Sequence, residues 1–585
     1  MKKLVSLGLI ALLAVPAAGL AASPEEAAIQ QLQQQIQKLS AELEALAKKV
    51  EESKQAAPPA PAIVAPAPPP VPAAVPAMAD IKELEKRLDK VEKHSVLDRI
   101  EFSGDMRVKA DSLHYDNVTL VQPPFAPFTQ QQASAMIGMP LPASSTGVYY
   151  LPNTQDGTQN GLLKTQKFSL NNDILYTTRL RLNMKAKVWE NVKFNGRLTM
   201  YKNWGDSTGV KEFDSWNSYT MDGTNSGNTT SDYIHVERAF FDWSDIGGTP
   251  AFFSVGRRPS TYGPPTNYRE NELRGGTVPG NLMFLNFDGA TLGYKLEDQT
   301  GIPGLVARFC YGQGYESEWG NGELFNEVDV EDTHFGGFNI DAYNDGTNYF
   351  QVTLFRAEDL TDGFKGVLAV PDSFGGSPMP GFNVLARYSA TTNIGNMNLG
   401  GLVFTREEDN GFKWFGSFGW TQTDPNGQAG MFGGLLSDPE IVPVFDEGNP
   451  VPVGIKYTGK ATEDEKQDGY GVYVGMQTPA PLGKFGLEYN YGSKYWTPFT
   501  QAQDDVVGSK LATRGHAGEA YYIFDINPNM FLKVGAIYYD YEYTGSGTPV
   551  GKPQKIDDVQ DGKAYSILPA VDEVWDLYAS MTLKF

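Results

Sequence analysis

Cations keep to one parity in three stretches of this chain. Arg107 and Lys109 form the first pair, Arg179, Arg181, Lys185 and Lys187 the second set, and Lys193 and Arg197 follow after a tight turn. Arg308 and Arg387 stand in later segments of similar pattern. Fixed cations gathered on one face draw anions and repel cations, so a wall of them would set ion preference wherever solutes pass. The competing arrangement is neutralisation by carboxylates on neighbouring segments, such as Glu488 and Glu519. A second candidate is the acidic run from Glu323 to Asp332, which includes Asp329 and Glu331. Hard cations want clustered oxygens, so these loop carboxylates are candidate ligands for Ca2+ or Mg2+, with a plain solvated loop as the alternative.

Covalent chemistry is poorly supported. The five histidines, His94, His114, His235, His334 and His516, form no short metal-ligand pair, and there is no nucleophile elbow, Walker loop or dinucleotide glycine pattern. No enzyme activity and no organic cofactor are expected. The single cysteine, Cys310, excludes a disulfide scaffold and is expected as a small residue within a strand.

The elements that position the cations are strands. Successive side chains of a strand point to opposite faces. In 178–188, Leu180, Leu182, Met184, Ala186 and Val188 take one parity and the charged residues the other; Phe194, Leu198 and Met200 repeat the pattern after the turn at 189–192. The final strand is the clearest. Trp575, Leu577, Ala579, Met581, Leu583 and Phe585 alternate with Asp576, Tyr578, Ser580, Thr582 and Lys584. An apolar strand running to a terminal aromatic suits a barrel whose last strand closes on its first and leaves no edge.

About seventeen segments of this kind can be read after residue 99, among them 382–392, 396–406 and 411–422. A barrel that starts and ends on the same side needs an even number, so one segment between 380 and 470 is surplus. The prediction is a closed antiparallel transmembrane β-barrel of 16–18 strands over residues 99–585. Short turns alternate with long excursions (111–170, 203–232, 259–283, 423–467 and 544–570), the outer-membrane arrangement. The wet parity is expected to face an aqueous lumen and the greasy parity the lipid. One long loop, 111–170, is expected to fold inward. Aromatic content of 12% and 62 glycines fit aromatic girdles and tight turns.

Before the barrel lies a different kind of sequence. Residues 1–21 have a basic start, a short apolar run and a small-residue cleavage site, and are expected to be a removed signal peptide. Residues 22–55 carry Ile29, Leu32, Ile36, Leu39, Leu43, Leu46 and Val50 at alternating steps of three and four, a coiled-coil seam that predicts a dimer or trimer. Residues 56–79 are a Pro/Ala-rich spacer, and 80–98 a short amphipathic helix. The formal charge is −22. It repels phosphate backbones, so nucleic acid is not an expected partner.

Several motifs together carry a family resemblance: Phe102-Ser-Gly-Asp-Met-Arg107, Gly256-Arg-Arg-Pro259, Asn286-Phe-Asp-Gly289, Gly486-Leu-Glu-Tyr-Asn-Tyr-Gly-Ser-Lys-Tyr-Trp496 and Gly508-Ser-Lys-Leu-Ala-Thr-Arg-Gly515. Over roughly residues 25–585 the chain resembles an uncharacterised family of Gram-negative outer-membrane porins with an N-terminal periplasmic coiled coil. The resemblance implies location and fold and carries no substrate or catalytic residue.

The function expected from the sequence is therefore passive conduction of ions and small hydrophilic solutes across the cell outer membrane. The expected partners are outer-membrane lipid, lipopolysaccharide (whose phosphates loop-bound divalent cations would bridge), the barrel-assembly machinery through the last strand, further copies of the chain, and peptidoglycan. Two alternatives are a sealed barrel that anchors the membrane to the cell wall and a sheath for an electron-transfer partner.

Overall fold

In the computed structural model, residues 100–205, 234–317, 330–363, 366–369, 384–387, 390–501 and 503–585 are described. The signal segment, the heptad seam from Ile29 to Val50, the spacer and the short helix expected at 80–98 lie outside them.

Sixteen strands close into one antiparallel barrel. In chain order they are β1 Ile100–Val121, β2 Thr165–Trp189, β3 Val192–Asn203, β4 Ile234–Trp243, β5 Ala251–Pro259, β6 Asn286–Lys295, β7 Val306–Tyr315, β8 Thr333–Asn344, β9 Asn348–Thr361, β10 Asn393–Glu407, β11 Lys413–Pro425, β12 Asp468–Ala480, β13 Gly483–Gly492, β14 Gly515–Asn527, β15 Met530–Tyr541 and β16 Glu573–Lys584. Each strand pairs with its sequence neighbours, and β16 closes on β1 with Met106 opposite Leu583 and Arg107 opposite Thr582. The surplus segment is 382–392. Its strand, Val384–Arg387, pairs only with Gly366–Ala369, in a two-stranded sheet apart from the barrel.

Parity behaves as a membrane barrel requires on the outside. On β16, Trp575, Leu577, Ala579, Met581 and Leu583 are exposed while Val574, Asp576, Tyr578, Ser580 and Thr582 are buried. Leu292, Phe309, Phe338, Leu354 and Leu402 continue the outward apolar surface around the wall. Trp189, Trp243 and Trp414 mark it near the short turns, and Tyr311, Tyr470, Tyr489 and Trp575 near the loops. These are two aromatic belts bounding a lipid-facing band, the form of an outer-membrane barrel. The ring of Phe585 lies against β1: a Cβ at Gly104 would stand 2.6 Å from its Cζ, so only glycine leaves room there.

All long connections leave from one end of the barrel and both ends of the described chain lie at the other. β1 and β2 are far longer than the rest, at 22 and 25 residues. A membrane strand needs only about 9–11 residues. The first excursion is correspondingly shorter than the expected 111–170, because β1 runs to Val121 and β2 starts at Thr165. Its 122–164 loop packs on other loops, with Leu163 beside Ile556 and Val559. It has its own helix, Gln130–Ile137, and two-stranded sheet, and bonds to a neighbouring loop through Ser145 to Asp446 and Thr146 to the Val453 carbonyl.

Two other loops reach into the barrel, 260–285 and 493–514. Gln477 of β12 donates to the Tyr268 carbonyl, while Ser417 of β11 donates to Asn281 and Asn339 of β8 approaches the Thr277 carbonyl. The loop 260–285 thus touches strands far apart on the wall. It bridges to the second loop where Met283 meets Phe499.

Candidate functional site in the barrel lumen

The inward parity of β1 and β2 carries Asp105, Arg107, Lys109, Arg179 and Arg181, all buried. Lys109 pairs on the wall with Asp111 of β1 at 2.5 Å and lies 4.0 Å from Asp576 of β16, while the arginines are matched by Asp105 and by the two inner loops. Arg107 Nη1 lies 2.6 Å from Asp504 and Arg179 Nη1 lies 3.1 Å from the same carboxylate. Arg179 and Arg181 share Asp105 at 3.2 and 2.7 Å. Arg181 also pairs with Glu272 and donates to the Tyr262 hydroxyl at 3.1 Å. Burial alone would raise the Asp504 carboxyl, but Arg107 and Arg179 outweigh it and hold the group down at about 2.

A second cluster lies around Glu519 on β14. It receives Arg269 Nε from loop 260–285 at 2.5 Å, Lys510 from loop 493–514, Lys533 at 3.5 Å and the Tyr578 hydroxyl. Lys510 also reaches Glu488 at 2.5 Å, and Arg269 reaches Asp505 at 2.5 Å. Buried charges of this kind persist only when matched. The matching here ties both loops to the wall.

The opposite sector of the lumen is apolar, which departs from the expected uniformly wet interior. Inward-facing Phe335, Phe355, Met397 and Leu399 pack with Leu282, Met283, Phe284 and Phe499 of the inner loops. The reason is visible in the register. Gly401, Gly419, Gly471, Gly492 and Gly515 stand opposite one another on five adjacent strands, β10 to β14. A wall without side chains lets loop residues approach the backbone. Added Cβ atoms at Gly419, Gly471 and Gly492 would lie 2.3, 2.4 and 2.5 Å from the Trp496 indole. That fully buried ring donates from Nε1 to the Leu511 carbonyl at 2.8 Å.

The remaining cations of the expected wall are distributed as follows. Arg197 bonds to Asn183 and Glu237, at 2.6 and 3.1 Å. Lys185, Lys187 and Lys193 stand near the short-turn end, exposed, with Lys187 opposite Lys193 and no ion pair to a described residue. Arg308 pairs with Asp341 at 2.6 Å. Arg387 is a correction: it belongs to the separate Val384–Arg387 strand and is on no barrel wall. A cavity of about 420 Å³ opens at the short-turn end, lined by Arg181, Lys185, Arg197, Arg238, Arg274 and Lys584 against Asp105 and Glu272.

Glu323 and Asp329 lie outside the described residues. Of their companions, the Glu331 backbone N–H donates to Asn393 at 2.7 Å, and Asp332 accepts from the Ser317 N–H at 2.8 Å and from Gln313 at 3.1 Å. Among the described residues no three His, Cys, Asp or Glu side chains gather as a metal site. Cys310 is buried on β7 and accepts from Thr291. Asp105 shares the parity of Arg107, which places it on the inner face, but its partners are Arg179 and Arg181 of the next strand. Asp504, Glu272, Trp496 and the glycine row were not readable by parity, since they depend on loop docking and strand register.

A closed sixteen-strand barrel with a lipid-facing belt and a charged interior narrowed by in-folded loops defines a porin-type outer-membrane protein. The chain belongs to the family described as "Protein of unknown function (DUF3373)", whose model matches residues 169–585. No curated protein matches it. Solved structures of similar fold include the anion-selective porin from Comamonas acidovorans, with 9% identity and a TM-score of 0.38 over 83% of this chain and 99% of that one. OmpT, an outer membrane protein of Vibrio cholerae, gives 10% and 0.36 over 83% and 97%. Pseudomonas putida OprB gives 8% and 0.38 over 84% and 96%.

Proposed function

We propose that the protein is an outer-membrane pore of restricted bore that passes ions and small hydrophilic solutes passively. The observation that carries this is the sixteen-strand closure with charged side chains directed inward: a barrel of that width holds an aqueous passage that in-folded loops narrow. No step of this function calls for catalysis. The cavity at the short-turn end has six cationic side chains against Asp105 and Glu272 in its lining and Glu237 and Asp341 paired behind it, an excess that supports a preference for anions at that mouth. The short turns face the periplasm and the loops face the medium. The heptad seam Ile29–Val50 and the Pro/Ala spacer would join copies of the chain, as a dimer or trimer, or reach peptidoglycan. The terminal strand would serve the barrel-assembly machinery, and the acidic loop around Glu323–Asp332 would hold Ca2+ or Mg2+ against lipopolysaccharide. Planar-bilayer recording of the purified barrel tests the main claim: discrete conductance steps support it, and an electrically silent insertion overturns it.

One observation favours a second reading. The apolar sector of the lumen, where Leu282, Phe499 and Trp496 pack on inward-facing wall residues, is a protein core inside the barrel. A barrel so filled could serve as a sealed anchor between outer membrane and cell wall. Silence in the bilayer together with binding to isolated peptidoglycan would establish that alternative.

A further inference from the structure

Three loops far apart in sequence, 122–164, 426–467 and 542–572, enclose a cavity of about 410 Å³ at the loop end of the barrel. Its position excludes a lipid-facing explanation, since these segments follow the ends of the strands. Its size lies in the range of small-molecule sites.

The lining is apolar for a structural reason. A hairpin, Pro439–Val444 with Gly454–Ala461, sets Ile441 opposite Tyr457 and Pro443 opposite Ile455. All four line the cavity, as do Phe125 and Met431. Such a hairpin is marginal in water unless its apolar face is covered. Here it is not covered by the chain: Phe125, Met431, Ile441, Ile455 and Tyr457 are each 40–45% exposed. Large apolar side chains left exposed side by side mark an interaction site. The floor is continuous with the interior, because Val550 in the lining belongs to the apolar cluster inside the barrel and Phe432, also in the lining, packs against that cluster.

The charged groups at the wall are already engaged. Asp438 accepts from the Lys552 backbone N–H at 3.2 Å and from Gln554 at 3.1 Å. Lys552 Nζ pairs with Glu463 at 2.5 Å. No uncommitted cation among the described lining residues awaits an anionic headgroup, and the net charge of −22 disfavours one further.

We propose that this cavity binds an uncharged apolar small molecule taken from the medium, with an aromatic or alkyl body seated against Ile441, Ile455 and Tyr457. The site is separate from the pore reading and stands or falls without it. The test uses an uncharged alkyl diazirine on the full-length protein in nanodiscs, with labelled residues located by peptide mass mapping. Saturable labelling within 431–457 or 544–567, competed by the unlabelled alkane and reduced about tenfold in Ile441→Trp/Ile455→Trp, a change of about 1.4 kcal/mol, is the expected result. The variant's fold is checked by its circular dichroism, and the mapping on the unaltered protein stands even where the variant fails to fold. Labelling confined to outward residues such as Leu354 and Leu402, loop labelling that no competitor reduces, or bridging of these loops to a second copy or to a lipid acyl chain by a bifunctional diazirine in a parallel reaction would each overturn the proposal. Equal or tighter binding of the matching alkyl carboxylate would overturn its preference for an uncharged ligand.

Discussion

Trp496 and Gly471 fit one another as ring and slot: a side chain on Gly471 would begin 2.4 Å from the indole Cε2. The contact joins loop 493–514 to β12 and, through the paired glycines on either side, to β11 and β13. Gly471→Val should displace the indole at a cost of about 1–3 kcal/mol, as overpacking does. Limited proteolysis should then cut within 493–514 faster than in the unaltered protein, and single-channel conductance should rise as the loop leaves the lumen.

Asp504 answers two arginines, so Asp504→Asn leaves an excess positive charge beside the passage. Breaking a buried pair from one side costs about 3–5 kcal/mol. Urea unfolding in a defined lipid should register the loss. Reversal potentials under a KCl gradient should move toward anion preference.

The same carboxylate gives the inner loop a pH signature. Its ordinary value is 3.8, and in the folded protein it is held at about 2. A carboxyl depressed on folding contributes its full stabilisation above the unfolded value and loses it as pH falls from about 4 toward 2. The contribution is ~2 kcal/mol. Stability measured at pH 6 and pH 2.5 should differ by about that amount more in the unaltered protein than in Asp504→Asn.

Lys185, Lys187 and Lys193 have no ion pair among the described residues and stand near the short-turn end. Replacing all three by glutamate should shift the reversal potential toward cations with little loss of stability, since exposed charges contribute little to folding. An unchanged reversal potential would remove these lysines from any role in selectivity.

Outward parity makes a separate prediction. Leu354 lies midway along β9 with its side chain facing outward. Leu354→Arg should cost about 2–4 kcal/mol near the midplane, whereas Leu273→Arg, in a lumen loop, should cost far less. Folding titrations into liposomes would show both.

How much of this was legible in advance follows from what each interaction depends on. Alternation in β2 and β16 is a local property, and it fixed the closed barrel, the lipid face and the inward cations Arg107, Lys109, Arg179 and Arg181. The up-down count placed one surplus segment between 380 and 470, and strand pairing identifies it as 382–392. The inner architecture depends on register and on contacts between distant segments. Gly419, Gly471 and Gly492 look like ordinary turn or strand glycines until strand pairing sets them side by side. Asp504 looks like one acid in a polar loop until that loop is placed beside β1. Length drew attention to 111–170, whereas loop 260–285 is held by Arg269 and Glu272, whose partners Asp505, Glu519, Arg179 and Arg181 lie on segments distant in the chain.

The 22 and 25 residues of β1 and β2 extend roughly 70–80 Å at the usual rise of a strand. Even steeply tilted, this ribbon outruns a hydrocarbon layer of about 30 Å. It therefore stands as a mast above the bilayer and carries the 122–164 loop at its top. Carried that far, the 122–164 loop meets its neighbour through Ser145 to Asp446 and Thr146 to Val453, clear of the lipid-facing band.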